Sequence, residues 1–156
     1  MTQDESLRSQ LVAVLKGNHS HYPMEQVIAS WPVSSRSSKP GDANHSGWQL
    51  LEHLRIAQWD ILGFSLSAGH VSPEFPDGYW PDTEAPATDE AWDQSVRQFA
   101  NDLEAMQSLV LDPATDIHAR IPHGDGQTIL REALMLASHN SYHIGQLMTL
   151  RKVLGV

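Results

Sequence analysis

Apolar side chains recur with a helical period along most of the chain. Leu7, Leu11, Val14 and Leu15 predict a helix from about Asp4 to Lys16, stopped by Gly17-Asn18. A shorter helix is expected from Met24 to Trp31, between Pro23 and Pro32. Ser34 to Asn44 is rich in Ser, Pro and Gly and reads as a loop; the segment before it is too small to fold alone, so it is not a domain linker. Ser46-Gly-Trp-Gln49 matches a capping box and opens a second long helix, expected to reach about Ser67. Between Ser72 and Ala87 stand four prolines together with Phe75, Tyr79 and Trp80, predicting an irregular segment packed down by its aromatics. Thr88 caps a third long helix to about Leu111, with Asp89 and Glu90 in the first turn, where the helix dipole favours acids. A loop over Asp116 to Gly126, with a short extended piece at Ile117 to Ile121, leads to a last helix capped by Thr128 and ending near Leu154. No alternating run is long enough for a sheet. The expectation is a single all-α domain over 1–156: an antiparallel four-helix bundle with long connecting loops, in which the proline-rich segment is either a turn or a crossover.

Charge and composition narrow the functional classes. With 10 Lys+Arg against 19 Asp+Glu the net charge is −9, which argues against nucleic acid or an anionic membrane as partner. No apolar run approaches the roughly 20 residues that cross a bilayer, and the start of the chain carries no basic segment followed by an apolar one; a cytoplasmic protein is expected. The absence of cysteine excludes disulfides, thiolate metal sites and a Cys nucleophile, so any thiol chemistry needs an external thiol.

Nine histidines are the unusual feature. His139 and His143 are four apart and share a face of the last helix; taking 100° per residue, their stripe includes Glu132, Met135, Leu136, Gln146, Leu150 and Val153, and reads as core-facing. On the second long helix His53 lies at the edge of the face formed by Leu50, Leu54, Ala57, Ile61 and Phe64. Three imidazoles from two helices can hold a divalent cation and leave positions open for water or substrate. Chance alone supplies about half an H-x-x-x-H pair in such a chain, and inward histidines are often hydrogen-bonded core residues. On spacing, both readings stay open. Asn140 occupies the place of the general-base Glu in H-E-x-x-H peptidases, and no Glu has a His three residues on, which removes the zinc-peptidase and di-iron patterns. The other histidines (His19, His21, His45, His70, His118, His123) are expected in loops or at helix ends and mostly solvated, with His123 within reach of a site at one bundle end.

The segments Ser46-Gly-Trp-Gln-Leu-Leu-Glu-His53-Leu-Arg-Ile-Ala-Gln-Trp-Asp60 and Ser138-His139-Asn-Ser-Tyr-His143-Ile-Gly-Gln146-Leu, with Gly-Tyr-Trp-Pro81 between them, resemble the DinB/YfiT-like superfamily of metal-binding four-helix bundles. The resemblance implies His53, His139 and His143 as ligands of a divalent ion, zinc or nickel, and a homodimer. It also implies a metal-dependent enzyme in which the ion activates a low-molecular-weight thiol, or water, for transfer to a small-molecule substrate. The alternative is a non-catalytic metal-binding stress-response homodimer. Glu132 and Asp60 are candidates for supporting an imidazole N–H, Glu132 reading better as a first-turn carboxylate. Gln146 and Tyr142 lie beside the stripe, and Tyr79 and Trp80 are candidate walls. No protein acid or base stands out. Trp48, Leu51, Trp59, Leu62 and Leu66 form a second apolar stripe on the same helix as His53, which further suggests a dimer contact.

Overall fold

The computed structural model describes residues 1–17 and 21–156. Among these residues five α-helices follow in order: α1 (Gln3–Lys16), α2 (Met24–Ile28), α3 (Gly47–Leu66), α4 (Asp89–Leu111) and α5 (Ile129–Leu154). There is no strand among the described residues, only an isolated bridge between Arg120 and Thr128. No described helix is long and apolar enough to cross a membrane.

The ends of the helices are set by their caps. Thr2 and Ser46 each accept from the amide three residues on, and Glu5 and Gln49 reach back to the cap amides, so both are complete capping boxes. Thr88 and Thr128 cap α4 and α5 through the side chain alone. Gly17 (φ 70°) and Gly155 (φ 72°) close α1 and α5 in the left-handed region that favours glycine. The expected stop at Gly17 is thus present, whereas Asn18, and with it His19, lies outside the described residues. Helix α2 ends at Ile28 instead of Trp31, because Ala29 turns extended and Pro32 disfavours helix at the residue before it. Trp31 is buried against Trp92.

The four long helices form the bundle, with α1 and α3 each packed on both α4 and α5. Arg8 on α1 donates to the carbonyls of Val110, Asp112 and Thr115 at the far end of α4, so α1 and α4 are antiparallel. Contacts between α3 and α5 run His53–His143 and Gln58–Asn140, and Phe64 near the end of α3 meets His123 in the loop that leads into α5, again antiparallel. Those between α3 and α4 run Glu52–Ser95 and Gln58–Phe99, which is parallel. Of the two connections left open by the sequence, a turn that keeps every neighbour antiparallel and a crossover, the structure has the crossover. A parallel pair needs a connection that returns the full length of the bundle, and residues 67–88 supply it. This crossover is pinned along α3: His70 Nε2 lies 2.8 Å from Asp60, Tyr79 donates to Asp60 (2.6 Å), and Ser46 donates to the Glu84 carbonyl (2.6 Å).

Leu51, Leu54, Met106, Leu136 and Leu147 form the centre of the core. Ile117 and Ile121 close the end where α4 passes to α5, held by hydrogen bonds to Leu130 and Gln127 and not by a strand. Two packing expectations change. The second stripe of α3 is largely used within the chain: Trp48, Leu51 and Leu62 are buried, because α4 covers one side of α3 and α5 the other. Only Trp59 (41% exposed) and Leu66 (59%) remain open, so that stripe does not itself call for a second copy. On α5, Met135 (38%) and Val153 (64%) are exposed, and the buried face centres near Leu136, Asn140 and Leu147. The stripe drawn through His139 is displaced by roughly 90° from that centre. Both histidines therefore stand at the border of the core, where it meets solvent.

Candidate metal centre

His53 belongs to the second turn of α3, whose start the capping box fixes, and His139 and His143 are successive-turn neighbours on α5. Because the two helices are antiparallel neighbours, the three rings meet. His53 Nε2 lies 3.1 Å from His143 Nε2 and 3.0 Å from His139 Nε2, and one nitrogen from each ring falls within 4.8 Å of the others.

Hydrogen bonds decide where the protons sit. His53 Nδ1 is 2.9 Å from the Tyr79 carbonyl, which can only accept, so Nδ1 carries the hydrogen. His143 Nδ1 donates in the same way to Gln146 Oε1 at 2.7 Å. Both Nε2 atoms then present lone pairs to each other. His139 Nδ1 is buried without a partner, and one proton on His139 Nε2 would satisfy only its own contact with His53. Protonating the other rings is opposed by burial. It holds His53 down to about 4, with His143 and His45 adding to the effect and the Tyr79 carbonyl opposing it. Burial, then His143 and His53, likewise lowers His139 to about 4, and burial lowers His143. Three neutral imidazoles with converging lone pairs suit a divalent cation. Ligands 2.0–2.1 Å from one ion stand about 2.9 Å apart at right angles and about 3.4 Å apart in a tetrahedron, which brackets the two separations from His53 Nε2. Imidazole donors suit zinc, nickel, copper and iron alike.

Trp80, carried by the crossover, stacks on His53 with centroids 3.9 Å apart and planes 4° apart. His45 stacks on Trp80, also at 3.9 Å. Tyr142 meets His143 edge-on. Beside the triad opens a cleft of about 620 Å³ that includes His45, Trp80 and His143. From there it follows α5 past Gln146 and Thr149 to Val153.

The three sequence-predicted ligands therefore come together. Gln146 orients His143, and Asp60 acts at one remove, through the hydroxyl of the Tyr79 whose carbonyl holds His53. Burial and the Asp60 bond raise the Tyr79 phenol to about 12, which keeps it a donor. Glu132 faces no imidazole; it is buried in the first turn of α5 and paired with Arg131, as the dipole reading had it. His118 is exposed as expected. His123 bonds the Phe64 carbonyl instead of reaching the site, and His21 bonds Ser141. His70 is not solvated but tied to Asp60. The residue that sequence reasoning missed is His45. Its signal was position: it directly precedes the N-cap of α3, two turns before His53.

Fold and site together define a helical bundle with an imidazole triad fitted to a divalent cation. The model of the DinB superfamily matches residues 22–147, a span that contains all three histidines and the crossover, and the chain belongs to that superfamily. Membership and triad agree on a metal-binding protein. No curated protein and no solved structure matches the chain.

Proposed function

We propose that this chain, as a single domain, is a metal-dependent enzyme in which His53, His139 and His143 hold one divalent ion, zinc or nickel. Its substrate in this reading is a small molecule, and its nucleophile an external thiol or water. The observation that carries the reading is the pair of facing Nε2 lone pairs of His53 and His143, 3.1 Å apart with both Nδ1 hydrogens engaged elsewhere. Such an arrangement is repulsive without a cation and favourable with one. A divalent ion there supplies Lewis acidity, lowering the pKa of a thiol or water toward neutrality. Three protein ligands leave room for such a group. The chain's own residues do the rest: the Tyr79 carbonyl and Gln146 fix two imidazoles, Trp80 shields one face of His53, and His45 offers the cleft a second, unligated imidazole able to take a proton. His45 is lowered by burial and by Lys39, so it is neutral and an acceptor at pH 7. A homodimer is part of the proposal on the family resemblance alone, and light scattering decides it.

The test is metal stoichiometry by elemental analysis, followed by the absorption of cobalt-substituted protein on adding azide or a small thiol. About one ion per chain, lost in His53→Ala, and a spectrum that responds to the added ligand are expected. Wild type without stoichiometric metal after supplementation refutes the reading. A spectrum unmoved by either ligand refutes its catalytic part and leaves a closed, non-catalytic metal protein.

A further inference from the structure

The cleft beside the triad has a chemistry of its own. It contains no Lys, Arg, Asp or Glu among the described residues. Lys39 adjoins Pro40 at the rim but is paired with Glu84. Polar groups are confined to uncharged ones, chiefly Asn44, His45, Gln146 and Thr149. The walls are Trp80 and Leu50 near the triad and Leu150 and Val153 beyond it. From His143 to Val153 the cleft follows ten residues of α5, about 15 Å at 1.5 Å per residue. One end thus meets the imidazoles and the other is apolar and open to solvent.

We infer that this cleft selects an uncharged, partly apolar small molecule: its reactive end faces the triad, its ring packs against Leu150 and the edge of Trp80, whose two faces are taken by His53 and His45, and its tail runs toward Val153. The inference deepens the proposed thiol reading and rests on it for the orientation of the sulfur. An anionic thiol of the glutathione kind is disfavoured on two counts. A carboxylate entering the cleft gives up water and finds no cation in return. It also approaches a protein of net charge −9. A neutral ring loses little by desolvation and gains contact with Trp80 and the leucines.

Two matched probes test this: benzyl mercaptan and 4-(mercaptomethyl)benzoate, which differ by one carboxylate. Their binding to cobalt-substituted protein is read by calorimetry, and ligation of sulfur by the sulfur-to-cobalt absorption band. The neutral probe is expected to bind at least about tenfold more tightly, with the difference surviving at high salt, where long-range repulsion is screened. With sulfur at the triad, the carboxylate reaches the level of Thr149, an exposed residue whose hydroxyl bonds only the Gly145 carbonyl. Thr149→Arg should therefore shrink or reverse the preference while leaving metal content unchanged. Equal or tighter binding of the anionic probe, failure of both probes to bind at millimolar concentration, or a preference unaltered by Thr149→Arg overturns the inference. If the calorimetric preference holds but no sulfur-to-cobalt band develops, the cleft assignment stands and thiol activation at the metal falls.

Discussion

Glu52 and His53 are neighbours on α3, equally buried at 8% exposure, and they face opposite seams of the bundle. On the α4 side, Glu52 takes a two-point contact from Arg55 (2.8 Å each) and accepts from Ser95, while Gln98 donates to Asp102. The hydrogen bond from Arg55 to Glu52 also raises the pKa of Arg55, so these two opposite charges satisfy one another. On the α5 side, His53 meets two more imidazoles and no acid. Burial is the same; donor chemistry is not. The Glu52–Arg55 pair is complete as it stands, whereas three like lone pairs are complete only around a cation. Burial of a polar group therefore says little about function until its partners are counted.

The sharpest way to break the contrast is to remove one member from each seam. His143→Ala should lower metal affinity at least about a hundredfold, more than the loss of a group that merely supports a ligand. It should lower the thermal midpoint only of the metal-loaded protein, since the metal-free variant loses a repulsive contact. Midpoints measured with and without added ion check this; a drop of equal size in both states would mean that the triad is a structural hydrogen-bonded cluster. Glu52→Ala should do the opposite, costing about 2–3 kcal/mol whether or not metal is present, because Arg55 is left without its partner. That corresponds to a fall of roughly 5–10 °C in the midpoint, with metal stoichiometry unchanged.

Acid should separate the seams next. His53 and His139, held near 4 when folded, return to about 6.5 on unfolding. Between those values the unfolded chain binds more protons, so metal-free protein loses stability as the pH falls through 6.5 toward 4, by roughly 2–3 kcal/mol for the two groups together between pH 7 and 5.5. Urea midpoints across this range measure the slope, and it should flatten in the His53→Ala, His139→Ala double variant. An unchanged slope would place the lost stability in other groups.

What could be read from the sequence divides along the same lines. Local signals carried far: the capping box at Ser46, the caps at Thr88 and Thr128, the breaks at Gly17 and Gly155, and the spacing of His139 and His143 are properties of short segments. Spacing put His139 and His143 on one face of the last helix but left a metal site and hydrogen-bonded core histidines both open; it was the resemblance of the two motif segments that singled out His53, His139 and His143 together. Relations between elements were not legible. Whether Trp48, Leu51 and Leu62 face a neighbouring helix or a second copy depends on α3 standing between α4 and α5, and that follows from a crossover that prolines permit but do not specify. Tyr79 enters through its main-chain carbonyl, which has no sequence signature at all. The 90° error in the α5 face arose from centring the stripe on His139, when a residue at a site's edge need not lie at the centre of the core.

The smallest effect tests the proton placement on which the contrast depends. His53 is held by a backbone carbonyl, which no substitution deletes; His143 is held by the side chain of Gln146 and is open to a clean experiment. Gln146→Leu keeps the bulk of the residue at a half-exposed position on α5 but removes the acceptor of the His143 Nδ1 hydrogen. The ring is then free to turn or to move its proton to Nε2, where the hydrogen would occupy the lone pair a cation needs. Metal affinity, measured by competition with a chelator, should fall by about tenfold, at the low end for groups that orient a ligand, since water can replace part of the lost bond. The stability of the metal-free protein should hardly change. Unaltered affinity would mean that Gln146 does not hold the proton in place. The facing lone pairs of His53 and His143 would then cease to be evidence for a bound ion, leaving the convergence of the three rings as the remaining support.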